Sequence, residues 1–208
     1  MASRDCFRLA YTAPRMSADG EAAEILLYGE IIQDMPEEWK WSPEDKSARE
    51  FNDAIKNVRE QGAKKMNLRI NSPGGIVTEA MAMRGILANA GFEEINIRIE
   101  GLCASAATLI ASLPGAHVAI MPGSEYMIHN PWTIGYGNAE DMERIAEHLR
   151  SEEATARGMY QKRTGKDEET IKGWMDRETW FTAEEAVKEG FCDEVTSEDA
   201  EADRKSVV

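Results

Sequence analysis

Three times between Ile25 and Leu113 a short run with strand periodicity gives way to a longer run with helix periodicity, an order that few architectures accommodate. Ile25-Leu26-Leu27-Tyr28-Gly29-Glu30-Ile31 is a continuous apolar run of strand length, as expected for a strand covered on both faces. Ala48, Phe51, Ala54, Ile55 and Val58 then recur at helical spacing, with Gly62 as a stop. Met66, Leu68 and Ile70 alternate as a strand that runs into Asn71-Ser72-Pro73-Gly74-Gly75, and a second helical stretch follows from Ile76 to Asn89. Ile95, Ile97 and Ile99 alternate again, ahead of a small-residue helix spanning Ala104 to Leu113. This alternation predicts an α/β fold of parallel strands joined by right-handed helical crossovers.

The flanking segments extend that frame. Phe7 to Tyr11 reads as a first short strand, and Met16 to Ala22 as a turn into the next. The Gln33 to Asp45 segment, with two prolines and two tryptophans, predicts an ordered loop pinned by its aromatics, or a lid. Ala116 to Ile120 and Glu125 to Ile128 are two further strands about a Met121-Pro122-Gly123 turn. Ala139 to about Lys162 is a long helix, dense in charge and sparse in apolar anchors, so it either protrudes to meet another subunit or lies solvated on the surface. Glu168 to Met175 is a further helix; Thr182-Ala183-Glu184-Glu185 is a capping box opening a last one that stops at Gly190, and Phe191 to Val195 returns as a strand. One domain over residues 1–195 and an acidic, frayed tail over 196–208 are expected.

Composition excludes several classes. A formal net charge of −14 over 208 residues opposes binding to nucleic acid or to an anionic membrane surface. Cys6, Cys103 and Cys192 lie far apart without metal-ligand spacing, so neither a zinc site nor a disulfide framework is indicated, and a reducing cytoplasm is the simplest home. The first residues lack the apolar run of a signal peptide, and no apolar stretch approaches the roughly 18 residues of a membrane span, so a soluble, unexported protein is expected.

The candidate chemistry centres on Glu100-Gly101-Leu102-Cys103-Ala104-Ser105-Ala106-Ala107-Thr108, where strand meets helix. A serine at a helix N-terminus lies beside unpaired N–H groups and the positive end of the helix dipole, a good place for a nucleophile. Small neighbours leave its hydroxyl reachable, although the G-x-S-x-G elbow is absent. The plainer reading is that Ser105 caps a buried helix. An activated serine needs a base, and three histidines compete. His117 lies within an apolar strand and His148 on the charged helix, whereas His129 ends a strand, where sheet folds commonly place reacting groups. Gly74-Gly75 either exposes N–H groups to an anion or forms an ordinary turn.

Taken together, Asn71-Ser72-Pro73-Gly74-Gly75, Gly101-Leu102-Cys103-Ala104-Ser105-Ala106, Met127-Ile128-His129-Asn130-Pro131 and Trp180-Phe181-Thr182-Ala183-Glu184-Glu185-Ala186 with Gly190 and Asp193 resemble the Clp protease proteolytic subunit (ClpP) family in order and separation. The resemblance runs from about Ile25 to Val195. The tryptophan-bearing segment and the Glu-Thr-Trp-Phe-Thr-Ala form of the last block look most like the phage-encoded branch of prohead, or head-maturation, proteases. It implies a ClpP/crotonase-like spiral of βαβ units with a protruding handle, which the Ala139 to Lys162 helix matches. It also implies Ser105 as nucleophile, His129 as base and Gly75 and Ala106 as oxyanion-hole donors. The family's acidic position falls on Glu178 where an aspartate is usual, with Asp176 as a rival.

Homo-oligomeric rings, unfolded or extended protein substrates such as phage capsid or scaffold proteins, and no cofactor or metal are implied as well. An ATPase partner is left open, since the N-terminal segment lacks a clear match to ATPase-docking loops. The implied setting is the bacterial host cytoplasm or an assembling prohead. Two other readings stand beside this one: a catalytically idle assembly protein, kept open by Glu178, and a crotonase-type acyl-CoA enzyme, opposed by the pairing of Ser105 with His129.

Overall fold

A computed structural model describes residues 14–18 and 20–196. The expected Phe7 to Tyr11 strand, and the tail beyond Thr196, lie outside the described residues. The chain forms a mixed α/β fold around a mostly parallel sheet. Strands β1 (Arg15–Met16), β2 (Ala22–Tyr28), β3 (Lys65–Ser72), β4 (Glu94–Ala104), β5 (His117–Ile120) and β8 (Glu194–Val195) lie side by side in that order, and only β1 joins its neighbour antiparallel. Helices α1 (Ala48–Glu60) and α2 (Val77–Asn89) make the crossovers from β2 to β3 and from β3 to β4. Ser47 caps α1 in a reciprocal box with Glu50.

The core lies on one face of the sheet. Ala23, Ile25 and Leu27 of β2, Met66, Leu68 and Ile70 of β3, and Ile97 and Ile99 of β4 are buried with Phe51, Ile55 and Val58 of α1 and Met83 and Leu87 of α2. The expectation that β2 is covered on both faces is not met, because its residues alternate between buried and half-buried. The alternate positions across β2, β3 and β4 carry a polar network instead: Arg69 meets Glu24 and Glu100, while Arg98 and Tyr28 also meet Glu100. Tyr28 therefore has its hydroxyl pKa pushed up to about 12, by burial first and then by the Glu100 carboxylate.

Strand β4 serves two partners in succession. Asn96 to Ile99 pair with β5, and Leu102 to Ala104 pair with β6 (Glu125–Ile128). The turn between β5 and β6 is tied back by buried Ser124, whose Oγ accepts from Gly101 N–H at 2.8 Å. Strand β7 (Thr179–Thr182) adds antiparallel to β6, so that these two form an arm leaving the main sheet.

The remaining helices are α3 (Ala106–Ala111), α4 (Ala139–Thr164), α5 (Glu168–Asp176) and α6 (Ala183–Lys188). Helix α3 is shorter than the expected Ala104 to Leu113 because β4 continues to Ala104. Helix α4 extends from the body: among its residues only Ala156 and Tyr160 are buried, both near its C-terminal end. In the proline-rich segment Trp39 and Trp41 are 71% and 95% exposed, so the aromatics do not pin it. Polar contacts do: Lys40 binds Glu37 and Glu50, each at 2.5 Å, and Asp45 accepts from the N–H groups of Glu30 and Ser42 at 2.9 Å. Of the expected Phe191 to Val195 strand only Glu194–Val195 pairs, while Phe191 and Cys192 are buried in the approach to it. No helix among the described residues is long and apolar enough to cross a membrane.

Candidate active site

Ser105 follows the last residue of β4 and precedes the first of α3, with φ 54° and ψ −129°, backbone values that a non-glycine residue rarely adopts. Its N–H donates to the Met127 carbonyl at 2.9 Å, and its own carbonyl accepts from the Thr108 N–H at 3.0 Å and the Thr108 hydroxyl at 2.5 Å. Contacts on both sides thus hold the strained turn. Its side chain makes no capping hydrogen bond, contrary to the plainer sequence reading. The Ser105 Oγ lies 2.7 Å from His129 Nε2 instead.

His129 is the first residue beyond β6, as expected. The other two histidines are elsewhere: His117 faces Glu194 at 3.8 Å at the start of β5, and His148 is exposed on α4, 3.3 Å from Glu152. The β6–β7 register pairs Ile128 with Thr179, and one further step along that ladder sets Glu178 opposite His129. Glu178 takes φ 50° on leaving α5, and its Oε2 lies 3.6 Å from His129 Nδ1. That separation exceeds a hydrogen bond, so in this state Glu178 acts on the imidazole as a nearby charge. Its other oxygen, Oε1, accepts from the Trp180 indole N–H at 3.4 Å.

Asp176 is engaged elsewhere. Its carboxylate accepts from Asn130 Nδ2 at 2.9 Å and pairs with Lys172 at 2.5 Å, and these two partners, Lys172 first, hold its pKa below the usual carboxylate range. Asn130 follows His129 directly, so Asp176 braces the loop after the histidine without contacting the ring.

The glycine pair is built into the same corner. Ile31 N–H donates to the Gly74 carbonyl at 2.7 Å and the Ile31 carbonyl accepts from Ile76 N–H at 2.9 Å, a parallel bridge centred on Gly75. In such a bridge the bonds run to the flanking residues, which leaves the Gly75 N–H directed away from Ile31. A side chain is excluded there: Gly75 has φ 141°, and a Cβ would stand 2.1 Å from the Ile31 carbonyl oxygen. Gly74 rests against the start of α3, where a Cβ would come within 2.7 Å of the Ala106 nitrogen. The Ala106 N–H, in the first turn of α3, has no intrahelical acceptor.

A family model described as Clp protease matches residues 42–199 of this chain. The chain belongs to the Clp protease family. Members typically form homo-oligomeric rings and degrade protein substrates, and a serine-type peptidase is typical among them. In this Clp protease chain, the matched span includes Ser105, His129, Glu178, Gly75 and Ala106.

Sequence reasoning missed β7 and the residues that act around the site. The β-branched and aromatic run Thr179-Trp180-Phe181-Thr182 is a strand signal, and reading it as one would have placed Glu178 across from His129. The support from Thr108 and Trp180 leaves no comparable mark. A groove of about 710 Å³ between Gly75–Thr78, Trp132–Ile134 and α4 opens beside this corner.

Proposed function

We propose that this chain is a serine endopeptidase in which Ser105 is the nucleophile, His129 the general base and Glu178 the orienting acid. The observation that carries the reading is the placement of Ser105 Oγ 2.7 Å from His129 Nε2 on a strained turn that leaves the hydroxyl uncommitted to capping. With Nδ1 protonated toward Glu178, Nε2 accepts the hydroxyl proton as Oγ attacks the scissile carbonyl carbon. Negative charge then develops on the carbonyl oxygen, and the N–H groups of Gly75 and Ala106 are the donors proposed to receive it. Collapse of the tetrahedral intermediate breaks the C–N bond, and His129 returns its proton to the departing amine. Water, deprotonated by the same imidazole, cleaves the acyl-enzyme and restores Ser105. The bond is cut without cofactor, metal or nucleotide; an unfoldase ATPase would serve only to feed folded substrates.

The proposed substrates are unfolded or extended proteins, with phage capsid or scaffold proteins during head maturation as the natural class. The tryptophan-bearing segment and the Glu-Thr-Trp-Phe-Thr-Ala block support that branch. A ring of identical subunits is proposed as the working state, since most of α4 projects without a buried face. The 3.6 Å gap at Glu178 favours one rival, a catalytically idle assembly protein of the same fold.

The test is Ser105→Ala, assayed on an unstructured protein alongside circular dichroism and labelling by a serine-reactive fluorophosphonate. Loss of cleavage and of label with an unchanged spectrum is expected. Wild-type cleavage in the variant refutes the nucleophile, and an unlabelled, inactive wild-type protein favours the idle reading.

A further inference from the structure

The peptide group between Ser105 and Ala106 is one rigid trans plane, with the Ser105 carbonyl on one side and, pointing the opposite way, the Ala106 N–H proposed to receive the oxyanion. The carbonyl side is held by Thr108, through its N–H at 3.0 Å and its hydroxyl at 2.5 Å. Thr108 is fully buried, and its Oγ1 also lies 2.6 Å from the hydroxyl of Tyr160, itself 2% exposed. Tyr160 comes from α4, where Ala156 is the one other buried residue.

Proton count fixes the direction of these bonds. A threonine hydroxyl has one proton, and two oxygens 2.5 Å apart repel unless a proton lies between them, so Thr108 donates to the Ser105 carbonyl. Its Oγ1 can then only accept from Tyr160, whose hydroxyl makes no other hydrogen bond among the described residues. Burial pushes the Tyr160 phenol pKa up, against the opposing effect of the Thr108 bond, so that proton stays in place. A buried chain therefore runs from the Tyr160 O–H to the Thr108 O–H to the Ser105 carbonyl. In such a chain each bond strengthens the next, and a carbonyl that accepts strongly makes the N–H of its own amide a stronger donor through the shared resonance.

We propose that Tyr160 is a positioning residue for the reaction, acting through Thr108 to aim and polarise the Ala106 N–H toward the oxyanion. The inference rests on the serine-peptidase reading above and adds to it a residue of α4 that works through the backbone of the nucleophile turn. Tyr126, the other buried phenol beside α3, stands outside the chain, because its hydroxyl reaches the Thr108 backbone carbonyl at 3.4 Å and not the Thr108 hydroxyl.

A peptidyl trifluoromethyl ketone reads the oxyanion directly: Ser105 Oγ adds to its carbonyl carbon, His129 takes the hydroxyl proton, and the ketone oxygen keeps the negative charge. The matching alcohol binds without forming that charge. In Tyr160→Phe the ketone Ki should rise about three- to tenfold and kcat for a fluorogenic peptide should fall by the same factor, a fraction of the ~10²–10³ lost with a whole oxyanion donor. KM and the alcohol Ki should stay within about twofold of wild type. Thr108→Val should cost about tenfold or more, Thr108→Ser should recover most of that loss, and Tyr160→Phe added to Thr108→Val should cost nothing further. Tyr126→Phe is the control and should leave the ketone Ki unchanged. A folded Tyr160→Phe with a lowered Tm and an unchanged ketone Ki has lost only structural support and overturns the proposal, as does an equal loss of ketone and alcohol binding. If Tyr160→Phe does not fold, Thr108→Val decides, and wild-type ketone binding in that variant overturns the proposal. Fluorophosphonate labelling of Ser105 keeps the two claims apart: a wild-type protein that takes neither the label nor the ketone removes the serine-peptidase reading, and this inference with it.

Discussion

Replacing Glu178 by glutamine tests the choice of acid, because it removes one charge and keeps nearly the same shape. The carboxylate stands 3.6 Å from His129 Nδ1, and in the proposed mechanism the imidazole becomes a cation during attack on substrate. At that separation a unit charge pair is worth about 1 kcal/mol with water's dielectric and about 5 kcal/mol with an effective dielectric of ~20. Glu178 has a side chain 56% exposed, which places the interaction toward the lower end, at about 1–3 kcal/mol. Since each ~1.4 kcal/mol is a factor of ten, kcat should fall roughly 5- to 150-fold. That is less than the ~10⁴ lost when a buried triad aspartate is changed to its amide.

The rival acid serves as the internal control. Asp176 is held by Asn130 and Lys172 and makes no contact with the ring, so Asp176→Asn should change kcat by less than about threefold. The assay is steady-state cleavage of a fluorogenic peptide by both variants, with thermal denaturation to confirm that each is folded. Glu178→Asp should retain partial activity. The reverse ranking, Asp176→Asn inactive and Glu178→Gln near normal, would refute the reasoning, because it would show that the β6–β7 register does not select the acid.

Gly75→Ala should lose both activity and stability: its Cβ would stand 2.1 Å from the Ile31 carbonyl, so the bridge must break, at a cost of about 2 kcal/mol or more read as a lowered Tm. For Asp193, burial alone would raise the carboxyl pKa, but Arg163 at 2.7 Å and the Val118 N–H hold it below the ordinary value. The unfolded chain therefore takes up this proton first as pH falls; the stabilisation is complete above about pH 5 and is lost through about pH 4 and below, and Asp193→Asn should flatten that part of a Tm–pH curve. Light scattering should give a mass many times the 23.2 kDa of one chain, and a monomer at micromolar concentration that still cleaves peptides contradicts the ring.

The helices and central strands were legible in the sequence because their periodicity is a direct image of burial. Phe51, Ile55 and Val58 on α1, and Met66, Leu68 and Ile70 on β3, are buried as their spacing implies. The one-sided cover of the sheet was legible too, had the alternate residues been read across strands: Arg69 and Arg98 sit at paired positions, where a sheet covered on both faces would carry apolar groups. What spacing could not convey is conformation that comes from tertiary contact. Glu178 adopts a left-handed backbone without being glycine or asparagine, and Trp39 and Trp41 stay in solvent although their type usually signals burial. The candidate site was half legible: a serine at a strand–helix junction and a histidine at a strand end are local features, whereas Glu178 is set opposite His129 by a four-residue strand that the sequence reading missed.

The division of β4 between two partners explains why those features converge. Its first half builds the core with β3 and β5, and its second half, beyond Gly101, pairs with β6 and delivers Ser105. His129 and Glu178 flank the β6–β7 arm, so the proposed base and acid are positioned as one unit, while Ser105 follows the main-sheet strand β4. The two units are registered to each other by Leu102, Cys103 and Ala104 against Glu125, Tyr126 and Met127, and by the Ser105 N–H on the Met127 carbonyl. That last bond closes the ladder at a residue with an uncommon positive-φ backbone, so the contact that aligns Ser105 with His129 also helps to hold the turn in that conformation. Alignment and strain therefore share this support, and a change that loosens the β4–β6 pairing acts directly on the Ser105–His129 distance.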